Sequence, residues 1–295
     1  PDRFILSYCD RALGVTSAEE QPVLPKGNNL SLHLLELFTS RVAKVGMTDG
    51  IRQVLQEESD ALRAYYEQAG ILIARPAGET SCRLAISAKG GTNAENHNHN
   101  DVGSYAVALG SETMVGDQGG PNSYPGDYFN GDAPQKYKIK GSFGHPVPVV
   151  DGRTQSSGGK AKGVVLQKEF TNEKDVFSID YTSAYSTPNL DKLIRTFVYD
   201  RQGEGNFTVG DEFTAKTPIR FETAITTRAD WKILDDTHLL LATDSEQMIV
   251  AIEASGKVAF TSETIEVNSP AYTRIGIALK NQSKEGYIRL KMYTK

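Results

Sequence analysis

Cysteine is close to absent from this chain: Cys9 and Cys82 are the only two in 295 residues. Neither belongs to a CxxC pair or a Cys/His pattern, which excludes a zinc ribbon, a dithiol redox centre and a disulfide framework. One bridge between them is the most that could form, and the ordinary reading is two small buried apolar residues. Long hydrophobic runs are missing too, since no stretch approaches the roughly 20 apolar residues of a membrane helix. A basic excess is also lacking: 32 Lys and Arg stand against 37 Asp and Glu, a formal charge of −5. That balance argues against a general nucleic-acid binder. Neither membrane nor nucleic acid is therefore an expected partner. The chain opens at Pro1 without an initiator Met or a leader-like segment, and is read as a processed or truncated product whose targeting signal lies outside it.

What is there divides into two patterns. Residues 1–63 read as helical: Leu30, Leu32, Leu34, Leu35, Leu37 and Phe38 crowd one segment, and Val42 and Val45 continue it. After Asp49-Gly50, Ile51, Val54, Leu55 and Leu62 recur at helical spacing, with Asp49 as N-cap. Three short helices with large apolar faces cannot bury them alone, so they belong to a larger helical unit. Residues 64–295 change period. Cys82, Leu84 and Ile86 alternate with polar residues, and short β-branched or aromatic segments follow at 104–109, 147–150, 163–166, 177–181, 193–199, 207–209, 239–242, 248–252 and 274–279. Gly, Asn, Asp and Pro punctuate them. The expected fold is mainly β: a large antiparallel β-sandwich preceded by a few α-helices.

Of five histidines, three carry a pattern. His97 and His99 flank Asn98 in Asn-His-Asn-His-Asn-Asp (96–101), and His145 stands in Ser-Phe-Gly-His-Pro. On an extended strand His97 and His99 share a face; on a turn they diverge. Neutral imidazoles with one carboxylate are a usual set of zinc ligands. The best carboxylate is Asp117 in Val-Gly-Asp-Gln-Gly-Gly, with Asp101 the alternative, or a residue that orients a histidine. The competing reading is a surface turn satisfied by its own side chains. His33 and His238, each alone, read as structural.

Three ordered blocks, Asn-His-Asn-His-Asn-Asp-Val-Gly-Ser-Tyr (96–105), Gly-Asp-Gln-Gly-Gly-Pro-Asn-Ser-Tyr (116–124) and Gly-His-Pro-Val-Pro-Val-Val-Asp-Gly (144–152), resemble the C-terminal domain of heparinase II/III-like polysaccharide lyases. Later segments 197–201, 211–213 and 221–223 fit the same sandwich, so the resemblance covers most of residues 65–295. It implies that residues 1–63 end an α/α toroid, and that uronate-containing acidic polysaccharide, glycosaminoglycan- or alginate-like, is cleaved by β-elimination. It implies zinc on His99, Asp117 and His145 with His97 facing substrate, and a periplasmic or secreted location. Pro146 departs from the Asn that often follows the third-block histidine, which puts a side-chain contact there in doubt. The toroid holds the family's usual base machinery, so the chain alone is expected to show little activity.

β-Elimination requires neutralising the uronate carboxylate and stabilising the enolate that forms as the C5 proton leaves. His97, Asn96 and Asn98 have the chemistry for the first task. Tyr124, Tyr128 and Tyr137 lie between the second and third blocks, and Tyr137 is the favoured acid for the leaving oxygen, although packing is the ordinary role of each. Lys136, Lys138 and Lys140 alternate with Tyr137 and Ile139, so a strand would set all three on one face as a patch for an acidic polysaccharide, followed by Arg153, Lys160 and Lys162. The alternative is a charge-guarded edge strand. Two other functions stay open: a non-catalytic carbohydrate-binding sandwich with a structural metal, and a hydrolase pairing Asp117 with Asp127 or Asp132. A homodimer is compatible with all three.

Overall fold

A computed structural model of the protein describes residues 62–295, apart from Glu79, Gln118, Asn122 and Asn268. The chain divides into two units, 1–61 and 62–295. The expected helical segment, and Cys9 with it, lies outside the described residues. Described structure opens with the strand Arg63–Tyr66, at the end of that segment.

Residues 62–295 form large antiparallel sheets, as the alternating pattern predicts. The largest has eight strands and is built around three long neighbours, Leu190–Asp200, Asn206–Ile219 and Ser283–Thr294. A five-stranded sheet contains Leu84–Lys89, Tyr105–Leu109 and Glu112–Val115; a four-stranded sheet contains Phe221–Thr227 and Val149–Val150. The two smaller sheets meet edge to edge, where Gly116 donates its N–H to Thr226 O at 2.9 Å and Thr226 Oγ1 returns a bond to Gly116 O.

Both pack on the eight-stranded sheet through aromatic rings. Tyr105 of the five-stranded sheet lies 6.3 Å from Phe197 and 6.0 Å from Phe207, while Phe221 of the four-stranded sheet stacks on Phe213 at 4.6 Å. All five rings are nearly or fully buried. Rings of this size dominate the apolar area removed from water and so hold the sandwich closed. Cys82 joins this core, its Sγ 3.5 Å from the Tyr199 hydroxyl. None of the helices among the described residues is long and apolar enough to cross a membrane.

One expected strand is absent. Residues 136–140 form no strand: Ala133–Lys136 is a helical turn with Pro134 in its first turn, and 138–140 form a further turn. Proline presets the backbone for the start of a helix and removes a ladder donor, which outweighs the alternating Lys and aromatic pattern.

Candidate active site

Three segments converge at the seam between the two smaller sheets. The first is the turn before Tyr105–Leu109, which carries residues 96–101. The second is the end of Glu112–Val115, two residues before Asp117. The third is the short 3-10 helix Ser142–Gly144, which delivers His145. Gly144 is required there, since a Cβ on it would sit 2.3 Å from Lys138 O.

His145 is buried, 1% exposed, and its Nδ1 lies 3.0 Å from Asp117 Oδ2. Asp117 also accepts from Ser104 Oγ at 2.6 Å and from the Gly119 N–H at 3.2 Å. The His99 ring lies 5.2 Å from the His145 ring, and its Nε2 is 3.0 Å from the Tyr128 hydroxyl. Asp101 is buried and ion-paired to Lys89. The three residues expected as metal ligands are thus neighbours. Asp101 closes the cluster too: one ligand atom each from Asp101, Asp117 and His145 lies within 4.8 Å of the others. His145 Nε2 is buried without a hydrogen-bond partner. A ring nitrogen left in that state costs desolvation free energy unless something accepts or binds it, so the donor set fits a divalent cation.

Burial first, and then the charge of His145, push the His99 imidazole down to about 4. Burial also opposes a charge on His145, yet the Asp117 charge and hydrogen bond outweigh it and hold His145 above its ordinary value. Burial raises Asp117, but His145, Ser104 and the Gly119 N–H hold it well below the usual carboxylate range. A neutral His99 beside an ionised Asp117 suits metal coordination, and His145, held more firmly protonated by Asp117, gives up its proton when it ligates. In metal-free protein the His99 ring protons are expected to titrate near pH 4 by NMR; a midpoint at the ordinary 6.5 would contradict the burial described. The unfolded chain protonates this group near 6.5 and the folded chain near 4, so its contribution to stability is full above 6.5 and lost as pH falls toward 4. His145 has the opposite sign: its contribution is present at low pH and fades as pH rises through its folded value.

The other expected residues distribute unevenly. His97 and His99 diverge because they sit on a turn, where His97 has a left-handed backbone, φ 59°. His97 stacks on the exposed Phe129 at 4.7 Å. Asn96 is exposed on the same turn. Asn98 Nδ2 bonds His99 O, leaving its buried Oδ1 unpartnered. Tyr128 is the tyrosine brought to His99; Tyr137 lies one ring away, 5.3 Å from Tyr128, and bonds Asp127. Tyr124 is exposed against Tyr128 and Phe129.

The three lysines do not share a face. Lys136 pairs with Asp127 and Lys138 with Glu263, both exposed, whereas Lys140 is buried and donates to Tyr128 O. Lys160 and Lys162 lie exposed on Gly158–Lys162, which pairs with Thr92–Asn93 just before the histidine turn. Of the carboxylates in the hydrolase reading, Asp117 and Asp127 are each already engaged by neighbours, while Asp132 is exposed before the helical turn Ala133–Lys136.

The residues that hold the turn are amides that the chemical pattern does not single out. Gln155 Oε1 accepts from Asn93 Nδ2 at 2.9 Å and from the Val102 N–H at 3.1 Å, and Gln155 Nε2 donates to Val102 O at 2.7 Å. Asn93 Oδ1 accepts the Asp101 N–H at 3.0 Å. All are buried.

No protein-family model matches the chain, and no curated protein matches it in sequence. Solved structures do match in fold. A crystal structure of heparinase III superposes with a TM-score of 0.62 at 17% identity, covering 79% of this chain and 36% of that one. Heparan sulfate lyase HepC from Pedobacter heparinus superposes with a TM-score of 0.67 at 14% identity, covering 89% of this chain and 42% of that one. The chain therefore spans less than half the length of these structures, and what it shares with heparinase III and heparan sulfate lyase is their fold.

Proposed function

We propose that this chain is the β-sandwich part of a polysaccharide lyase that cleaves uronate-containing acidic glycans by β-elimination, with zinc held by His99, Asp117 and His145. The observation that carries the reading is the convergence of two imidazoles and an ionised carboxylate from three separated segments, with a buried, unpartnered His145 Nε2, in a fold shared with heparin-type lyases. When bound, such a metal supplies positive charge opposite the uronate carboxylate and the developing enolate.

The chain's own residues do the rest. His97 and Asn96, exposed on their turn, bind the glycan from the solvent side and hydrogen-bond the carboxylate. Tyr128, whose phenol burial pushes up to about 12, stays protonated at neutral pH and is a donor beside His99. Exposed Lys136 and Lys138 exchange their partners Asp127 and Glu263 for the anionic groups of an acidic polymer. A substrate of polymeric size fits a periplasmic or secreted location. Because the chain spans 36–42% of the lyase structures, it contributes one part of the active site and has little activity alone.

The test is binding and product chemistry on heparan sulfate, alginate and a neutral glycan. Binding of acidic oligosaccharides that weakens about tenfold in His97→Ala is expected, with any cleavage product carrying the C4=C5 double bond and its ultraviolet absorbance. Equal binding of the neutral glycan, or cleavage that yields reducing ends without the chromophore, would contradict the reading.

A further inference from the structure

Arg195 and Asp211 are cross-strand partners on the adjacent long strands Leu190–Asp200 and Asn206–Ile219. Both point into the core. Arg195 shares its inward phase with Leu193, Phe197 and Tyr199, and Asp211 shares its own with Phe207, Val209 and Phe213, all buried. Arg195 is 0% exposed. A charge in such a place is costly unless every donor is satisfied.

Here each of the five guanidinium N–H groups has an acceptor. Nε and Nη2 fork onto the two Asp211 oxygens at 2.7 Å each, and Nη2 also reaches Thr223 Oγ1 at 3.1 Å. Nη1 donates to Gly103 O at 2.6 Å and to Pro146 O at 2.8 Å. Those two carbonyls belong to the separate segments that carry the site. Gly103 lies four residues beyond His99 and two beyond Asp101, next to the Ser104 that bonds Asp117; Pro146 follows His145 directly. The carboxylate is braced in turn by Tyr181 Oη–H and Thr223 Oγ1–H, both at 2.7 Å.

We infer that Arg195 is a positioning residue: a single guanidinium nitrogen, fixed by Asp211, sets the spacing between the His99 segment and the His145 segment. The inference rests on the reading of that cluster as the working site. A lysine could keep the charge opposite Asp211, but its ammonium lacks the planar fork that reaches both carbonyls while holding both carboxylate oxygens. Gln155 ties Val102 to the third segment independently, so losing the fork loosens the site without releasing it.

The test compares Arg195→Lys with Arg201→Lys. Arg201 is an equally buried arginine paired to Asp175, which grips Arg75 O and Leu62 O instead of the site segments. Amide hydrogen exchange and zinc binding are measured on both variants and the wild type. Arg195→Lys is expected to speed exchange at least tenfold in residues 97–105 and 142–149, to weaken zinc about tenfold, and to shift the visible spectrum of bound cobalt; Arg201→Lys is expected to do none of these. Unchanged exchange in those two segments, or the same change in Arg201→Lys, would overturn the inference. A wild type that binds no zinc would sink the metal reading, and exchange would still decide the positioning role. If Arg195→Lys does not fold, Asp211→Asn, which turns one of the two oxygens that fix the guanidinium into a donor, decides the same question: faster exchange in both segments supports the role, and none refutes it.

Discussion

Replacing Asp211 with alanine is expected to cost about 3–5 kcal/mol of folding stability, because it strands a fully buried guanidinium among aromatic rings. The Tyr181 hydroxyl and the Thr223 hydroxyl lose their acceptor in the same step. Urea denaturation of wild type and Asp211→Ala measures the effect, and a difference under about 1 kcal/mol would mean that the pair is not the dry, fully bonded unit described. The companion experiment removes both charges. An Arg195→Met, Asp211→Leu double variant is expected to regain only part of the lost stability: it removes the stranded charge but leaves the Tyr181 and Thr223 hydroxyls and the Gly103 and Pro146 carbonyls without their partners. Hydrogen exchange in the 97–105 and 142–149 segments is still expected to rise. The part regained then measures the cost of the stranded charge, and the faster exchange measures the positioning by the guanidinium fork.

His145→Ala is expected to abolish metal binding, lowering affinity by about 100-fold or more as measured by chelator competition. The residue belongs both to the proposed ligand set His99, Asp117 and His145 and to the cluster Asp101, Asp117 and His145, so the expected loss does not depend on which set operates. The variant also leaves the half-buried Asp117 without the imidazole that holds it ionised. The two sets are told apart by the pair His99→Ala and Asp101→Asn. The proposed set requires the larger loss in His99→Ala, with Asp101→Asn acting through Lys89 and the turn it anchors. The reverse order would move the third ligand to Asp101. Retained affinity in His145→Ala would remove the site altogether.

Much of this architecture is legible in the chain itself. Period-two segments such as 193–199 and 248–252 lie inside strands, because alternate residues face a core that only apolar side chains fill. The three blocks that hold His99, Asp117 and His145 are separate in sequence and meet at one seam. The Lys136–Lys140 alternation misled, since Pro134 starts a helical turn and the pattern of charges alone carries no backbone preference. His97 and His99 diverge for a similar local reason, the left-handed residue in their turn. The Arg195–Asp211 pair left a trace that pattern reading passes over: one charge of each sign in the inward phase of two otherwise apolar strands. Gln155 and Asn93 left none, because an amide that braces a loop looks like any other polar residue until the backbone groups it serves are brought to it.

The central claim is that these three segments form a metal site, and the most direct measurement is the metal content of the purified chain by mass spectrometry, for wild type and His99→Ala. About one zinc per chain in the wild type, lost in the variant while the fold is retained, is the expected result. A well-folded wild type that carries no metal and takes up none from added zinc would contradict it.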